Sequence, residues 1–287
     1  MSIVFAQAIE EYFKYSKIKL KKSNYDEQKR KIIKHILPYF KDKNIYEIGI
    51  RDIVSWKMYI ESFDFSYNYK SYLYYALVSI FDFFEKYYEI KKNYVKLEGN
   101  FKNNDLKKKG NIWTIDEFNK FISCIDDNFY KVLFELLYFT GLRKGEVLAL
   151  KWEDIDFINK TISINKTITR NHEFQTPKTK SSNRTISISD NLINELSKLN
   201  HDRELIFDIS FTQLKRKKDY YCNLSGVKQI KIHEFRHSHA CLLFTNNIEI
   251  EDISYRLGHS SISMTMTTYL KYLPRNEKRV VNLLNSL

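Results

Sequence analysis

Between Leu73 and Tyr88 the apolar residues Leu73, Leu77, Ile80, Phe81, Phe84 and Tyr88 recur at intervals of three and four, the spacing that an α-helix gathers onto one side. Two further stripes precede it, Phe5, Ile9, Tyr12 and Phe13, then Ile32, Ile33, Ile36, Leu37 and Phe40, with a shorter helix expected around Ile53 to Ile60. Almost no turn punctuation separates them; the 287-residue chain holds 3 Pro and 7 Gly. The first ninety or so residues are therefore expected to form a compact helical bundle, with lysines and tyrosines such as SYNYKSYLYY on its polar faces.

The pattern changes after Lys96. KLEGNFKNNDLKKKGNI loses its apolar period, gains charge and carries two glycines, as a linker does. A length of 287 residues with 43% hydrophobic content suits two cores. The expected organisation is a helical domain over 1–96, a linker over 97–112 and a second domain over 113–287, ending in a tail from 274 to 287.

The second domain opens with a capping box, in which Thr114 and Glu117 satisfy each other's backbone amides. Val132 to Phe139 is apolar almost all round, which predicts a buried helix stopping at Gly141. TISINKTITR alternates Ile162, Ile164 and Ile168, and TISIS alternates Ile186 and Ile188, so both are expected strands. QTPKTKSSNR joins them as an expected exposed loop carrying Lys178, Lys180 and Arg184. Beyond Ile232 helix is expected to the end, with breaks at Gly258 and Pro274. The fold class is thus mainly α with a small antiparallel β-sheet, an α+β arrangement.

Lys and Arg number 47 against 35 Asp and Glu, a net charge of +12 that favours a polyanionic partner. Cys124, Cys222 and Cys241 are odd in number and lack paired spacing, which predicts buried free thiols and neither a disulfide framework nor a zinc ribbon. No stretch approaches the run of about 20 apolar residues that a membrane span requires, and MSIVFAQAIEEYF turns acidic before a secretory core can develop. A cytoplasmic protein with no membrane partner is expected.

His233 to Ala240 reads HEFRHSHA, and its first five residues fit H-E-x-x-H, the zinc peptidase pattern. That reading needs a third ligand, for which Glu249 or Glu251 could be proposed, and it leaves the Arg236 cation beside the metal, an unfavourable neighbour. A second reading starts from Arg236, which shares a helix face with His233 and so presents two phosphate-binding groups without a metal. TGLRKGEVLALKWEDID supplies another arginine, Arg143, at a helix start beside a glycine turn, with Glu146 able to pair with it. Gly258 in LGHSS should end a helix and leave His259 on the first exposed turn. In ISMTMTTYLKYL, Ile262, Met266, Tyr269, Leu270 and Leu273 share one side, which predicts that Tyr269 faces the protein.

TGLRKGE, the hairpin lysine of TPKTK, HEFRHSHA, LGHSS and TTYLKYL stand in the order and at the intervals found in one family: the chain resembles the tyrosine recombinases, also called phage integrases. The resemblance covers about Trp113 to Tyr272 strongly and the N-terminal bundle only in length and helical character. It implies a SAM-like core-binding bundle followed by the recombinase catalytic domain. Carried over by position, Arg143 and Arg236 match the two phosphate-clamping arginines and Lys178 the lysine that protonates the leaving oxygen. His233 and His259 match the pair that hydrogen-bonds the phosphate and manages protons, and Tyr269 matches the nucleophile, with Tyr272 its one nearby rival. Glu146 matches a supporting acid, Phe235 stands where leucine is more usual, and His237 and His239 are read as structural.

The implied reaction cuts and rejoins DNA through a 3′-phosphotyrosine, needs no metal, ATP or other cofactor, and uses a homotetramer acting on double-stranded DNA sites. The two domains are expected to close around the duplex, and the tail, with Val280, Leu284 and Leu287, to dock on a neighbouring protomer. Integration or excision of a phage or conjugative element is the first expectation, with an excisionase or DNA-bending protein as a possible accessory. Xer-like dimer resolution is the second, and a non-catalytic DNA-binding protein the remote one. Opening directly on the bundle, the chain is expected to lack an extra arm-site domain.

Overall fold

A computed structural model describes residues 2–103, 111–170, 172–176, 180–269, 281, 284 and 285, without the side chains of 180, 264 and 267–269. Lys178, Tyr272 and the tail from Pro274, Leu287 included, lie outside the described residues, apart from Val281, Leu284 and Asn285. The chain divides into two compact units, Met1–Lys108 and Lys109–Leu287.

The first unit is entirely helical among its described residues: α1 (Phe5–Lys19), α2 (Lys22–His35), α3 (Leu37–Phe40), α4 (Ile50–Glu61), α5 (Tyr67–Tyr87) and α6 (Tyr94–Glu98). The stripes read from the sequence form its core: Phe5, Ile9, Tyr12, Leu73, Leu77, Ile80, Phe81 and Phe84 are all buried. The second stripe is not one helix. Pro38, in the first turn of α3, has no amide proton for a continuous ladder, so α2 stops at His35; within α2, Ile33 points away from the face that buries Ile32 and is exposed. Phe101 is buried, its ring centroid 6.0 Å from that of Trp56, and Lys57 binds Glu98 at 2.9 Å, so the chain as far as Phe101 packs on this unit.

The second unit contains α7 (Ile115–Ile122), α8 (Asn128–Thr140), α9 (Lys144–Val147), β1 (Ile155–Asp156), β2 (Thr161–Ile164), β3 (Thr167–Ile168), β4 (Phe174–Gln175) and β5 (Arg184–Ser187). The helices α10 (Asp190–Ser197), α11 (Phe211–Ser225), α12 (Ile232–Thr245), α13 (Ile250–Leu257) and α14 (Ile262–Tyr269) follow. The fold is mainly helical with small antiparallel sheets, β1-β2-β5 and β3-β4. Ile155, Ile162 and Ile186 stand in register across the first sheet and are all buried, as period-two alternation requires. The Thr114–Glu117 capping box forms, and α8 is buried along most of its length, ending at Gly141 with φ 66° and ψ 18°. An interruption at residues 246–249 also separates α12 from α13, so the C-terminal region is not one helix broken only by Gly258. Cys222 and Cys241 are buried, whereas Cys124 is half-buried. Among the described residues no helix is long and apolar enough to cross a membrane.

Candidate active site

Two left-handed glycine turns carry the site. Gly141 ends α8 and Gly258, with φ 65°, ends α13. A Cβ on Gly141 would lie 2.7 Å from both His239 and Leu257, and one on Gly258 would lie 2.9 Å from Arg184 and from the Ser181 carbonyl. Backbone conformation and close approach therefore both demand glycine at these positions.

The arginines bind across these turns. Arg143 precedes α9; its Nη1 donates to Glu146 at 2.6 Å and its Nη2 to the Gly258 carbonyl at 3.3 Å. Arg236, on α12, donates from Nη1 to the Gly141 carbonyl at 2.9 Å and from Nη2 to the Leu257 carbonyl at 2.5 Å. The two guanidiniums thus meet carbonyls of consecutive residues, although 93 positions separate them in sequence (236 − 143). Arg143 stays partly open, whereas Arg236 is only 1% exposed, which makes its cation a fixed part of the interior.

Both histidines read from the sequence join this cluster. His259 follows Gly258, and its Nδ1 lies 2.7 Å from the Thr265 hydroxyl, which is fully buried on α14. Burial, with Arg236, Arg143 and Arg184 close by, pushes the His259 ring down to about 4, so it is neutral at neutral pH. His233 is exposed at the start of α12. Desolvation by the surrounding protein, then the charges of Arg236 and Arg143, holds it below its ordinary value.

Tyr269 is the last residue of α14, one turn beyond Thr265, and its side chain is not described. The apolar stripe expected to turn it inward is not buried where it can be seen. Ile262 and Met266 are exposed, and α14 is anchored instead through Thr265.

Glu234, the acid of the H-E-x-x-H string, caps α12 by accepting from the Lys231 amide at 2.5 Å. His239 is buried, accepts from Arg256 Nε at 3.0 Å, and is pushed down to about 3 by burial and then by Arg256. Among the described residues no group of three His, Cys, Asp or Glu side chains is arranged to hold a metal ion.

Arg184 corrects the expectation of an exposed loop residue. It lies on β5, buried, with Nη2 donating to Glu146 at 3.1 Å, Nη1 to the Ser182 carbonyl at 3.1 Å and Nε to the Arg256 carbonyl at 2.8 Å. The signal for this is in the sequence: Arg184 alternates in phase with Ile186 and Ile188, not with Thr185 and Ser187. Arg256 carries no local sequence signal of its role. It braces the site from behind, donating to the carbonyls of Ser187 at 2.9 Å and Phe139 at 3.1 Å. Burial would raise the Glu146 carboxyl, but Arg184 and then Arg143 outweigh that and hold it below the ordinary carboxylate range.

Comparison with known proteins gives the family and the fold. The Phage integrase family matches residues 114–275, and the phage integrase N-terminal SAM-like domain matches residues 4–60. The chain is 32% identical to the ICEBs1 integrase of Bacillus subtilis, over all of this chain and 84% of that protein. It is 31% identical to a XerC-like tyrosine recombinase of Caldanaerobacter subterraneus, over 60% of this chain and 53% of that one. The fold is similar to that of the Tn1549 transposon integrase in complex with a circular intermediate DNA, with a TM-score of 0.80, 17% identity and full coverage of both chains. It is also similar to a lambda integrase dimer bound to a core site, with a TM-score of 0.75 and 19% identity over 93% of this chain and 77% of that one.

Proposed function

Since the chain belongs to the phage integrase family of tyrosine recombinases, we propose that it is a site-specific recombinase that integrates and excises a mobile element by cutting and rejoining DNA. The observation that carries this reading is the meeting of Arg143, Arg236 and His259 on the Gly141 and Gly258 turns, with α14 held to them by the His259–Thr265 contact. Likeness to the ICEBs1 integrase over the whole chain favours a mobile element over Xer-like dimer resolution.

In this reading Tyr269 Oη attacks the scissile phosphorus and passes its phenolic proton to the neutral His233 ring, the bond to the 5′ oxygen breaks, and a 3′-phosphotyrosine and a 5′ hydroxyl result. Charge building on the non-bridging oxygens meets Arg143 and Arg236, planar donors that stay protonated throughout. When the Thr265 hydroxyl donates to His259 Nδ1, the neutral ring carries its proton on Nε2, where it can donate to a phosphate oxygen. Lys178 gives the leaving oxygen its proton. The new ester is chemically close to the one broken, so a DNA hydroxyl reverses the step without ATP.

The partners in this reading are double-stranded DNA and three further copies of the chain, with the tail docking in trans and an excisionase or DNA-bending protein assisting. The protein acts in the cytoplasm, where its DNA is. The test is trapping on a nicked suicide duplex built from the repeats that flank the element. The wild-type chain should form a covalent DNA adduct and Tyr269→Phe should form none; an adduct with the variant would reassign the nucleophile.

A further inference from the structure

Arg184 is a buried guanidinium in a site that already uses two others, and its Nε, Nη1 and Nη2 all donate to protein acceptors, the Arg256 and Ser182 carbonyls and the Glu146 carboxylate. With all three nitrogens committed to these acceptors, it is not offered to DNA. What it does touch is the carboxylate on which Arg143 also rests. Glu146 Oε1 accepts from Arg143 Nη1 at 2.6 Å, and Oε2 accepts from the Arg143 amide at 2.8 Å and from Arg184 Nη2 at 3.1 Å. Glu146 is itself only 4% exposed, so solvent does little to screen its charge.

Two cations and one anion leave this triad with a net charge of +1. Without Arg184, Arg143 and Glu146 would form a neutral pair, and the partly open Arg143 would present a nearby phosphate with a cancelled charge. We propose that Arg184 is a positioning residue for strand cleavage: it neutralises Glu146, so that the carboxylate fixes the Arg143 fork while the positive charge of that fork stays available to the scissile phosphate. The same side chain ties β5 to the C-terminal end of α13 through the Arg256 carbonyl and lies against Gly258, immediately before His259. Strand, acid, arginine and histidine turn are thereby held as one unit. This role rests on the recombinase reading of the site.

The test is single-turnover cleavage of the nicked suicide duplex by the full chain at saturating protein, with half-site binding and thermal unfolding measured alongside. Arg184→Met should lower the cleavage rate roughly a hundredfold, as loss of one transition-state donor does, while half-site binding changes less than about threefold, as expected for a residue that does not contact DNA. Adding Glu146→Gln to Arg184→Met removes the uncompensated carboxylate and should restore at least about tenfold of the lost rate, the coupling expected of charges sharing one site. Relief of the cleavage rate in excess of any gain in thermal stability is something a merely structural role would not produce. Cleavage by Arg184→Met within about threefold of wild type, or a double variant no faster than the single one, would overturn the proposal. If Arg184→Met does not fold, Arg184→Lys keeps the charge and should stay within about tenfold of wild type; a folded Arg184→Lys that cleaves no DNA would also overturn it. A wild-type chain that forms no adduct would sink the recombinase reading itself, and this role with it.

Discussion

Gly141 and Gly226 have nearly the same backbone conformation, φ 66° and 65°, and each ends a helix, α8 or α11. They differ in what surrounds them. A Cβ on Gly226 would meet nothing within 4 Å, whereas one on Gly141 would lie 2.7 Å from His239 and from Leu257. Gly226→Ala should therefore cost only the left-handed backbone penalty, about 1–2 kcal/mol. Gly141→Ala should cost that plus about 1–3 kcal/mol of overpacking, because neither neighbour is free to retreat. His239 is fixed by Arg256, and Leu257 is fully buried. The pair can be compared by urea unfolding in a Trp56→Phe background, which leaves Trp113 and Trp152, both in the second unit, as fluorescent reporters. The Gly141 carbonyl accepts from Arg236, so Gly141→Ala should also slow cleavage, while Gly226→Ala should not. If the two variants lose the same stability within about 0.5 kcal/mol, the claim that close packing fixes the Gly141 turn is refuted.

Arg236→Lys breaks the fork onto the Gly141 and Leu257 carbonyls and should lower cleavage by roughly 10²–10³ while half-site binding changes little; equal losses in both would show that the residue serves DNA binding. Glu135 is buried in α8 with one carboxylate oxygen lacking a partner, and burial raises its pKa. Glu135→Leu should therefore stabilise the second unit at pH 7.5 by about 1–2 kcal/mol, and a lowered urea midpoint would count against this. His259 at about 4 and His239 at about 3 lie below the unfolded value near 6.5, so below that pH the unfolded chain binds the extra protons. Stability should fall as pH drops from about 6.5 toward 4, by up to about 1.4 kcal/mol per pH unit for each histidine. The raised carboxyl of Glu135 offsets part of this loss. A urea midpoint that is flat or rises toward pH 5 would refute the buried neutral histidines.

Much of the molecule follows from local order in the chain. Apolar periods specify the helices of the first unit and the buried run of α8, because each helical residue turns by a fixed angle and so declares which side it buries. Alternation specifies β2 and β5, and Gly141 and Gly258 mark two helix ends that no residue with a Cβ reaches without strain. The motif string also indicates which arginines and histidines share a site, through resemblance to a family and not through any spacing visible in one chain.

Only the tertiary structure decides what those residues rest on. Arg143 meets the Gly258 carbonyl and Arg236 the Gly141 carbonyl across 115 and 95 positions of sequence, distances over which no local period carries information. The same holds for Arg184. Charge and a polar neighbourhood argue for solvent, yet the pleat of β5 turns its side chain inward, where Glu146 and the carbonyls of Ser182 and Arg256 can offset its desolvation. A buried cation is tolerated only where partners from elsewhere in the fold supply its hydrogen bonds, so its location is a property of the assembled site and not of the segment that carries it.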